Sequence, residues 1–275
     1  MELGVGDYVT GTRIEAGPTG ATAVPGLWVA GNVTDLQAQV VSSAAAGLMA
    51  GAAINADLIG EDTRRAVEDH RFDALHGQAA WEERYQSRRH IWSGNPNPTL
   101  VSEAAPLPPG SALDVGCGEG ADAIWLAARG WTVTGIDLSP TALARAADHG
   151  RERGFDITWR HLDLTRESLD RTTYDLVTAH FLHLPHERRK AVFAELVAAV
   201  APGGSLLIVG HDPSDIGTTM PRHNLAEMGW TAAEIAESLD ADWTIEVAEA
   251  RPRPATDPEG REITIHDAVV RARRR

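Results

Sequence analysis

The stretch Ala112-Leu-Asp-Val-Gly-Cys-Gly-Glu-Gly120 decides the fold of this chain. Ala112-Leu-Asp-Val reads as a strand running into a glycine-rich turn, and residues 121–128 then read as a helix. The same alternation repeats downstream. Gly130-Trp-Thr-Val-Thr-Gly-Ile is a second strand ending at Asp137, and Thr141 opens a helix with Pro140 near its first turn. Ile157-Thr-Trp-Arg-His-Leu is a third strand closed by Asp163, and Tyr174-Asp-Leu-Val-Thr-Ala a fourth closed by His180. A helix over 187–200 and a fifth strand, Ser205-Leu-Leu-Ile-Val, follow. Strands alternating with helices at this spacing predict an α/β fold with a parallel, doubly wound sheet. Two further strand-like runs, 243–248 and 262–271, are joined by a Pro/Gly-rich turn and predict an antiparallel pair at the end.

The glycine turn by itself is ambiguous, because Gly116-x-Gly118-x-x-Ala121 also satisfies the relaxed dinucleotide pattern. Asp114, two residues before the first glycine, favours a cationic ligand there over a pyrophosphate. Asp163 at the third strand end suits hydrogen bonding to an adenine amino group, and the antiparallel finish is unusual for a dinucleotide domain. As a set these residues resemble a class I S-adenosylmethionine-dependent methyltransferase with a Rossmann-like sheet, over about residues 72–275. The resemblance implies S-adenosyl-L-methionine as cofactor. It implies that Asp114, Gly116, Gly118 and Gly120 shape the pocket for the methionine and ribose portions. It further implies that Asp137 holds the ribose hydroxyls, that Asp163 meets adenine N6, and that Leu138 and Leu164 flank the ring.

Upstream, Trp81-Glu-Glu-Arg-Tyr85-x-x-Arg-Arg-x-x-Trp92-Ser-Gly-Asn-Pro resembles the lead-in of small-molecule members of the family, which folds over the cofactor as a lid. In that reading Arg84 or Arg88 pairs with the methionine carboxylate, and Tyr85 and Trp92 line the sulfonium region. The alternative is an amphipathic helix with core aromatics and exposed arginines.

Methyl transfer from a sulfonium is an in-line displacement, and a base is needed only for a protonated acceptor. Base candidates belong at the ends of the fourth and fifth strands, which makes His180, His183 and His211 the catalytic candidates. His186 and Asp212 lie nearby, but spacing alone builds no metal site, and none is assigned. His223 and His266 read as surface residues. The Asn/Asp-Pro-Pro-aromatic motif of nucleobase and glutamine N-methyltransferases is absent from His180-Phe-Leu-His-Leu-Pro-His. The core is similar to tellurite-resistance and thiol or thiopurine methyltransferases, which implies a small-molecule acceptor: a thiol, chalcogen, amine or hydroxyl. The alternatives are a flavin- or nicotinamide-linked oxidoreductase and a non-catalytic S-adenosylmethionine-binding subunit.

The 275 residues carry 25 Lys+Arg against 39 Asp+Glu, a formal net charge of −14. Such a balance argues against nucleic acid and anionic membranes as partners. Cys117 is the lone cysteine, so no intrachain disulfide or thiolate cluster forms. Met1-Glu-Leu-Gly lacks the pattern of a secretory signal, and the expectation is a cytoplasmic protein. Residues 36–56 are uncharged, but Gln37, Gln39, Ser42, Ser43 and Asn55 make a spanning helix a poor expectation.

Composition shifts near residue 70, where histidines begin and Arg and Trp become denser, giving domains of 1–69 and 70–275. The charged run 61–71 reads as a helix end or linker. Before it, Leu27-Trp-Val-Ala reads as a short strand, and Thr34 or Asp35 as the cap of an Ala-rich helix to about Ile59. With Thr22-Ala-Val-Pro-Gly-Leu-Trp-Val-Ala-Gly-Asn32, this strand–helix extension resembles the C-terminal part of a thioredoxin-reductase-like flavoprotein, with Asn32 where that family has Asp. No GxGxxG precedes it and no CxxC exists, so it reads as a fusion remnant. The partners it implies are a separate flavoprotein, or a homodimer through the helix.

Overall fold

A computed structural model of the chain describes residues 2–5, 8–169, 173–220 and 228–275. The chain divides into two compact units, Met1–Asp73 and Ala74–Arg275. In the first, β1 (Glu2–Val5) and β2 (Tyr8–Thr12) form an antiparallel hairpin that the sequence reading did not anticipate. The expected strand at Leu27-Trp-Val-Ala is reduced to an isolated bridge between Ala21 and Trp28. Thr34 and Asp35 do not cap the long helix. The Thr34 hydroxyl turns back to the Gly31 carbonyl, and the Asp35 carboxylate accepts from the Gln37 amide. Asn32 sits in a 3-10 turn, Gly31–Val33.

The long helix α1 runs from Val40 to His76, so the charged run neither ends nor links it. Its acidic and basic side chains at this point lie on an exposed surface, where Glu61 and Arg65 pair one turn apart. The helical stretch Val40–Ser87 contains an 18-residue window of mean hydropathy 1.2, long and apolar enough by length and composition to cross a membrane. Val40, Val41, Leu48, Met49, Leu58 and Ile59 are exposed along it.

In the second unit, α2 (Gln78–Ser87) and α3 (Pro98–Ala104) precede β3 (Ser111–Val115). Then come α4 (Ala121–Ala127), β4 (Thr132–Asp137), α5 (Pro140–Glu152), β5 (Thr158–His161) and β6 (Tyr174–His180). The chain finishes with α6 (His186–Ala198), β7 (Val200–His211), α7 (Ala232–Ser238), β8 (Trp243–Thr256) and β9 (Glu262–Arg274). The strand order is β5-β4-β3-β6-β7-β9-β8. Strands β3 to β7 are parallel, while β9 pairs antiparallel with β7 and β8 with β9. This is the expected doubly wound sheet with an antiparallel finish.

Strand order reverses direction between β3 and β6, which opens a crevice at their carboxyl ends. One face of the sheet there is sealed by a core that includes Leu100, Ile124, Leu126, Trp131, Leu176 and Leu207. Asp114, Thr178 and His180 occupy the same face farther along β3 and β6, where apolar packing gives way to polar groups.

Gly120 shows why the turn must be glycine. Its φ is +87°, and a Cβ there would stand 2.8 Å from the Trp159 ring and 2.9 Å from Ala146 Cβ. Gly120→Ala therefore combines left-handed strain with overpacking. A loss of about 1–3 kcal/mol is expected in urea-melt stability.

Candidate active site

The crevice is built around Asp137, buried at the last position of β4. Its Oδ2 accepts from the Gly118 amide at 2.9 Å and its Oδ1 from the Ser139 amide at 2.8 Å. The carboxylate thus ties the glycine loop to the start of α5. Each oxygen keeps a second lone pair for a ligand hydroxyl. Burial raises the Asp137 carboxyl despite these amide bonds.

Asp114 lies beside it, buried in β3, with Oδ1 accepting from the Thr178 hydroxyl at 3.1 Å. His180, at the end of β6, brings Nδ1 to 2.7 Å from Asp122 Oδ2, and Asp122 Oδ1 takes the Asn97 amide. Cys117 is buried in the loop, and burial, with Asp137 and Asp114 nearby, pushes its thiol well up, so it is no thiolate nucleophile.

The predicted lid is α2 and the segment after it. Tyr85 is buried, and its hydroxyl accepts from Trp92 Nε1 at 2.9 Å. A Cβ on Gly118 would lie 3.0 Å from that hydroxyl and 3.2 Å from the Trp92 nitrogen, so both rings stand directly over the loop. Burial and Asp137 hold the Tyr85 phenol up, and it stays neutral at working pH. The Arg84 guanidinium donates to the Leu75 carbonyl and lies 4.7 Å over the Trp81 ring. Arg88 is exposed just past the end of α2.

Sequence reasoning missed the arginine that does bind the lid. Arg145 of α5 pairs with Glu119 at 2.8 Å and donates to the Tyr85 and Arg88 carbonyls. Glu119 in turn receives the Ile91 and Trp92 amides. Glu82 was missed as well. It accepts from the Ser139 hydroxyl at 2.6 Å and from the amide and hydroxyl of Thr141. Burial works against ionisation, yet these hydroxyls, the Thr141 amide and Gln86 hold the Glu82 carboxyl down at about 2. A charged Glu three residues before Tyr85 was the available signal.

Just past β5, Asp163 is buried with Oδ1 accepting from the amide and hydroxyl of Thr165, so it caps its own turn. Leu138 and Leu164 are half-buried, and the Leu138 carbonyl lies 3.0 Å from His161 Nε2.

Across the crevice, the chain leaves β6 through Phe181, a non-glycine residue with φ +55°. That turn brings the Phe181 ring 4.7 Å from the His211 ring, and the His183 ring stands 5.2 Å from it. His211, 24% exposed at its side chain, holds Nδ1 3.6 Å from Asp267 Oδ1. Arg253 Nε grips the other Asp267 oxygen at 2.6 Å. Although burial works to raise it, His211 and Arg253 keep the Asp267 carboxyl below its ordinary range. His266, expected at the surface, is 35% exposed at its side chain, and its backbone amide and Nδ1 both engage the buried Asp215 carboxylate, at 2.7 and 3.0 Å. His223 lies outside the described residues. Among the described residues no three His, Cys, Asp or Glu side chains are grouped to hold a metal.

A family described as a methyltransferase domain matches residues 112–204. The 2-heptyl-1-hydroxyquinolin-4(1H)-one methyltransferase of Mycobacteroides abscessus is 31% identical over 172 residues, spanning 58% of this chain and 70% of that protein. The chain belongs to the class I S-adenosylmethionine-dependent methyltransferases. Among solved structures similar to this methyltransferase is one from work on conversion of a disulfide bond into a thioacetal group during echinomycin biosynthesis. It superposes with a TM-score of 0.60 at 26% identity, covering 72% of this chain and 92% of the other. The N-methyltransferase NodS of Bradyrhizobium japonicum WM9, solved with S-adenosyl-L-homocysteine, shares the fold at a TM-score of 0.55 and 19% identity, covering 72% and 98%.

S-adenosyl-L-methionine is the cofactor, and when bound it supplies an electrophilic methyl on a sulfonium. The residues present fit it. The Cβ-free cradle at Gly118 faces two aromatic rings, and Asp137 keeps free lone pairs at the strand end where a ribose diol would sit. Tyr85 is buried over the loop while Trp92 beside it stays exposed, and Glu82 and Arg145 hold the segment in place.

Asp137→Ala is expected to weaken S-adenosylhomocysteine binding about 10- to 100-fold by calorimetry, the worth of one or two hydrogen bonds to a charged group. Glu82→Ala is expected to speed amide hydrogen exchange over 78–97 while the sheet strands keep their protection. In the native protein the clasp contributes stability above the ordinary Glu range near pH 4.5 and loses it as pH falls toward 2, because the folded value is the depressed one.

Proposed function

We propose that this methyltransferase O-methylates an acidic hydroxyl on a small, planar aromatic or heteroaromatic acceptor, with His211 as the general base. The observation that carries the reading is the His211 ring beside the Phe181 and His183 rings, with its Nδ1 facing the Asp267 carboxylate. A carboxylate facing Nδ1 favours the proton on that nitrogen and leaves Nε2 to take one from a substrate. The 3.6 Å spacing is long for a direct hydrogen bond, as catalytic contacts often are before the substrate is bound. The neighbouring rings offer flat faces for a conjugated acceptor. The half-exposed setting of His211 suits contact with a second substrate, whereas His180 is buried on the glycine-loop side. The relative from M. abscessus is named for a 1-hydroxyquinolinone acceptor, which agrees with this chemistry.

A sulfur acceptor is the second reading, favoured by the structural relative associated with thioacetal formation. A thiol gains from the same base, so chemistry at His211 serves either atom.

The test is methyl transfer from labelled S-adenosylmethionine to a panel of N-hydroxyquinolinones, phenols and aryl thiols. Turnover of the hydroxyl compounds supports the assignment, and turnover confined to thiols overturns it in favour of sulfur. His211→Asn is expected to lower kcat/KM for hydroxyl acceptors about 10²- to 10⁴-fold. The deficit shrinks for acceptors already ionised at the assay pH. An equal deficit for all acceptors removes His211 as the base.

A further inference from the structure

The hairpin of β8 and β9 carries the sheet past the carboxyl end of β7. His211, the last residue of β7, pairs with Asp267 of β9, and Asp267 pairs in turn with Arg251 of β8. Arg253, two residues farther along β8, pairs with Ile265, beyond the reach of β7. Strand alternation puts His211, Asp267, Arg251 and Arg253 on one face of the sheet. This is the end of the sheet where the Phe181 and His183 rings stand beside His211.

Arg253 differs from its neighbours on the hairpin in how little of it is engaged. Arg251 spends its guanidinium nitrogens on Glu103, Glu249 and the Ser102 hydroxyl. Arg261 is held by Asp257 and Glu259. Arg253 turns one edge to a carboxylate: Nε donates to Asp267 Oδ2 at 2.6 Å, and Nη2 lies 3.4 Å from Oδ1. Its Nη1 has no partner among the described residues, and the side chain is 43% exposed. The open edge, formed by Nη1 and the outer hydrogen of Nη2, is a fork that fits a carboxylate or another anionic oxygen. The carboxylate gripped by Arg253 is also the one that faces His211 Nδ1, so a single side chain separates the fork from the base.

We infer that Arg253 is a specificity-determining residue whose open edge receives a second, anionic oxygen on the acceptor whose hydroxyl meets His211. The inference rests on the assignment of His211 as the base and narrows the acceptor class. The acceptor is then a planar hydroxy acid, or a hydroxy-oxo heterocycle whose anion spreads charge onto its oxo oxygen. The charge balance of the site agrees. Once His211 takes the acceptor's proton, two cations share the Asp267 carboxylate, and the anionic oxygen supplies the missing negative charge. The formal charge of −14 on the whole chain works against approach of an anion, and a cation at the acceptor end offsets it locally.

The experiment measures methyl transfer by the full chain to matched pairs of acceptors. 4-Hydroxybenzoate is compared with its methyl ester, which keeps the ring and the hydroxyl but loses the charge. 1-Hydroxyquinolin-4(1H)-one is compared with 1-naphthol, which has no second oxygen. In at least one pair the member with the second oxygen is expected to have a KM lower by about tenfold or more. A preference in the first pair identifies a carboxylate, and one in the second a conjugated oxo oxygen. Arg253→Gln is expected to raise the KM of the favoured member about tenfold or more and that of its counterpart less than twofold. Arg253→Lys, which keeps a charge beside Asp267 without the fork, is expected to recover only part of the preference. Equal use of both members in each pair by the wild-type chain overturns the inference, and this arm decides even if the variants fold poorly. A deficit in Arg253→Gln shared equally by both members also overturns it, because that role runs through Asp267 alone. Either result leaves hydroxyl methylation standing. Transfer to none of the hydroxyl acceptors removes that reading, and the inference with it.

Discussion

The Asp137 carboxylate is the constraint on which the rest of the site depends. By accepting the amides of Gly118 and Ser139 it joins the loop after β3 to the start of the helix after β4. The two parallel strands bring those elements close, but the carboxylate fixes their spacing. Everything that touches the loop inherits that geometry. Tyr85 and Trp92 can rest on Gly118 because it has no side chain, and Glu82 can reach Ser139 and Thr141 because α5 begins where it does. A buried carboxylate held by backbone amides carries its desolvation cost within the fold.

Around that anchor, histidines that look alike in sequence fall into different environments. His180 is buried against Asp122 on the face covered by α4, and His211 is half-open among Phe181 and His183 with Asp267 behind. His266, part-exposed, also pairs with the buried Asp215. Each has a carboxylate partner, yet only the His211 ring combines accessibility with aromatic neighbours. The left-handed turn at Phe181 ends β6 and lays its ring against the core, 4.7 Å from His211.

The first unit is where local reading failed most. Leu27-Trp-Val-Ala has strand composition, but a strand needs a neighbour, and the one available contact is the bridge from Ala21 to Trp28. The charged run near residue 65 looked like a boundary, yet Arg, Glu and Ala are good helix formers and α1 passes through it.

In the second unit the succession of strands and helices, the glycine turn and the acidic strand ends were legible in the amino-acid sequence alone. Each is a local demand, met within a few residues: period-two apolar runs, glycines where φ is positive, acids where a strand stops. The lid clasp was not legible, because Glu82 and Arg145 act on partners 57 and 26 residues away, and chain separation hides such pairs. Nor was the division between His180 and His211. Both follow a strand with an acid somewhere in reach, and only the packing of α4, the Phe181 turn and the antiparallel return of β9 decides which carboxylate each one meets.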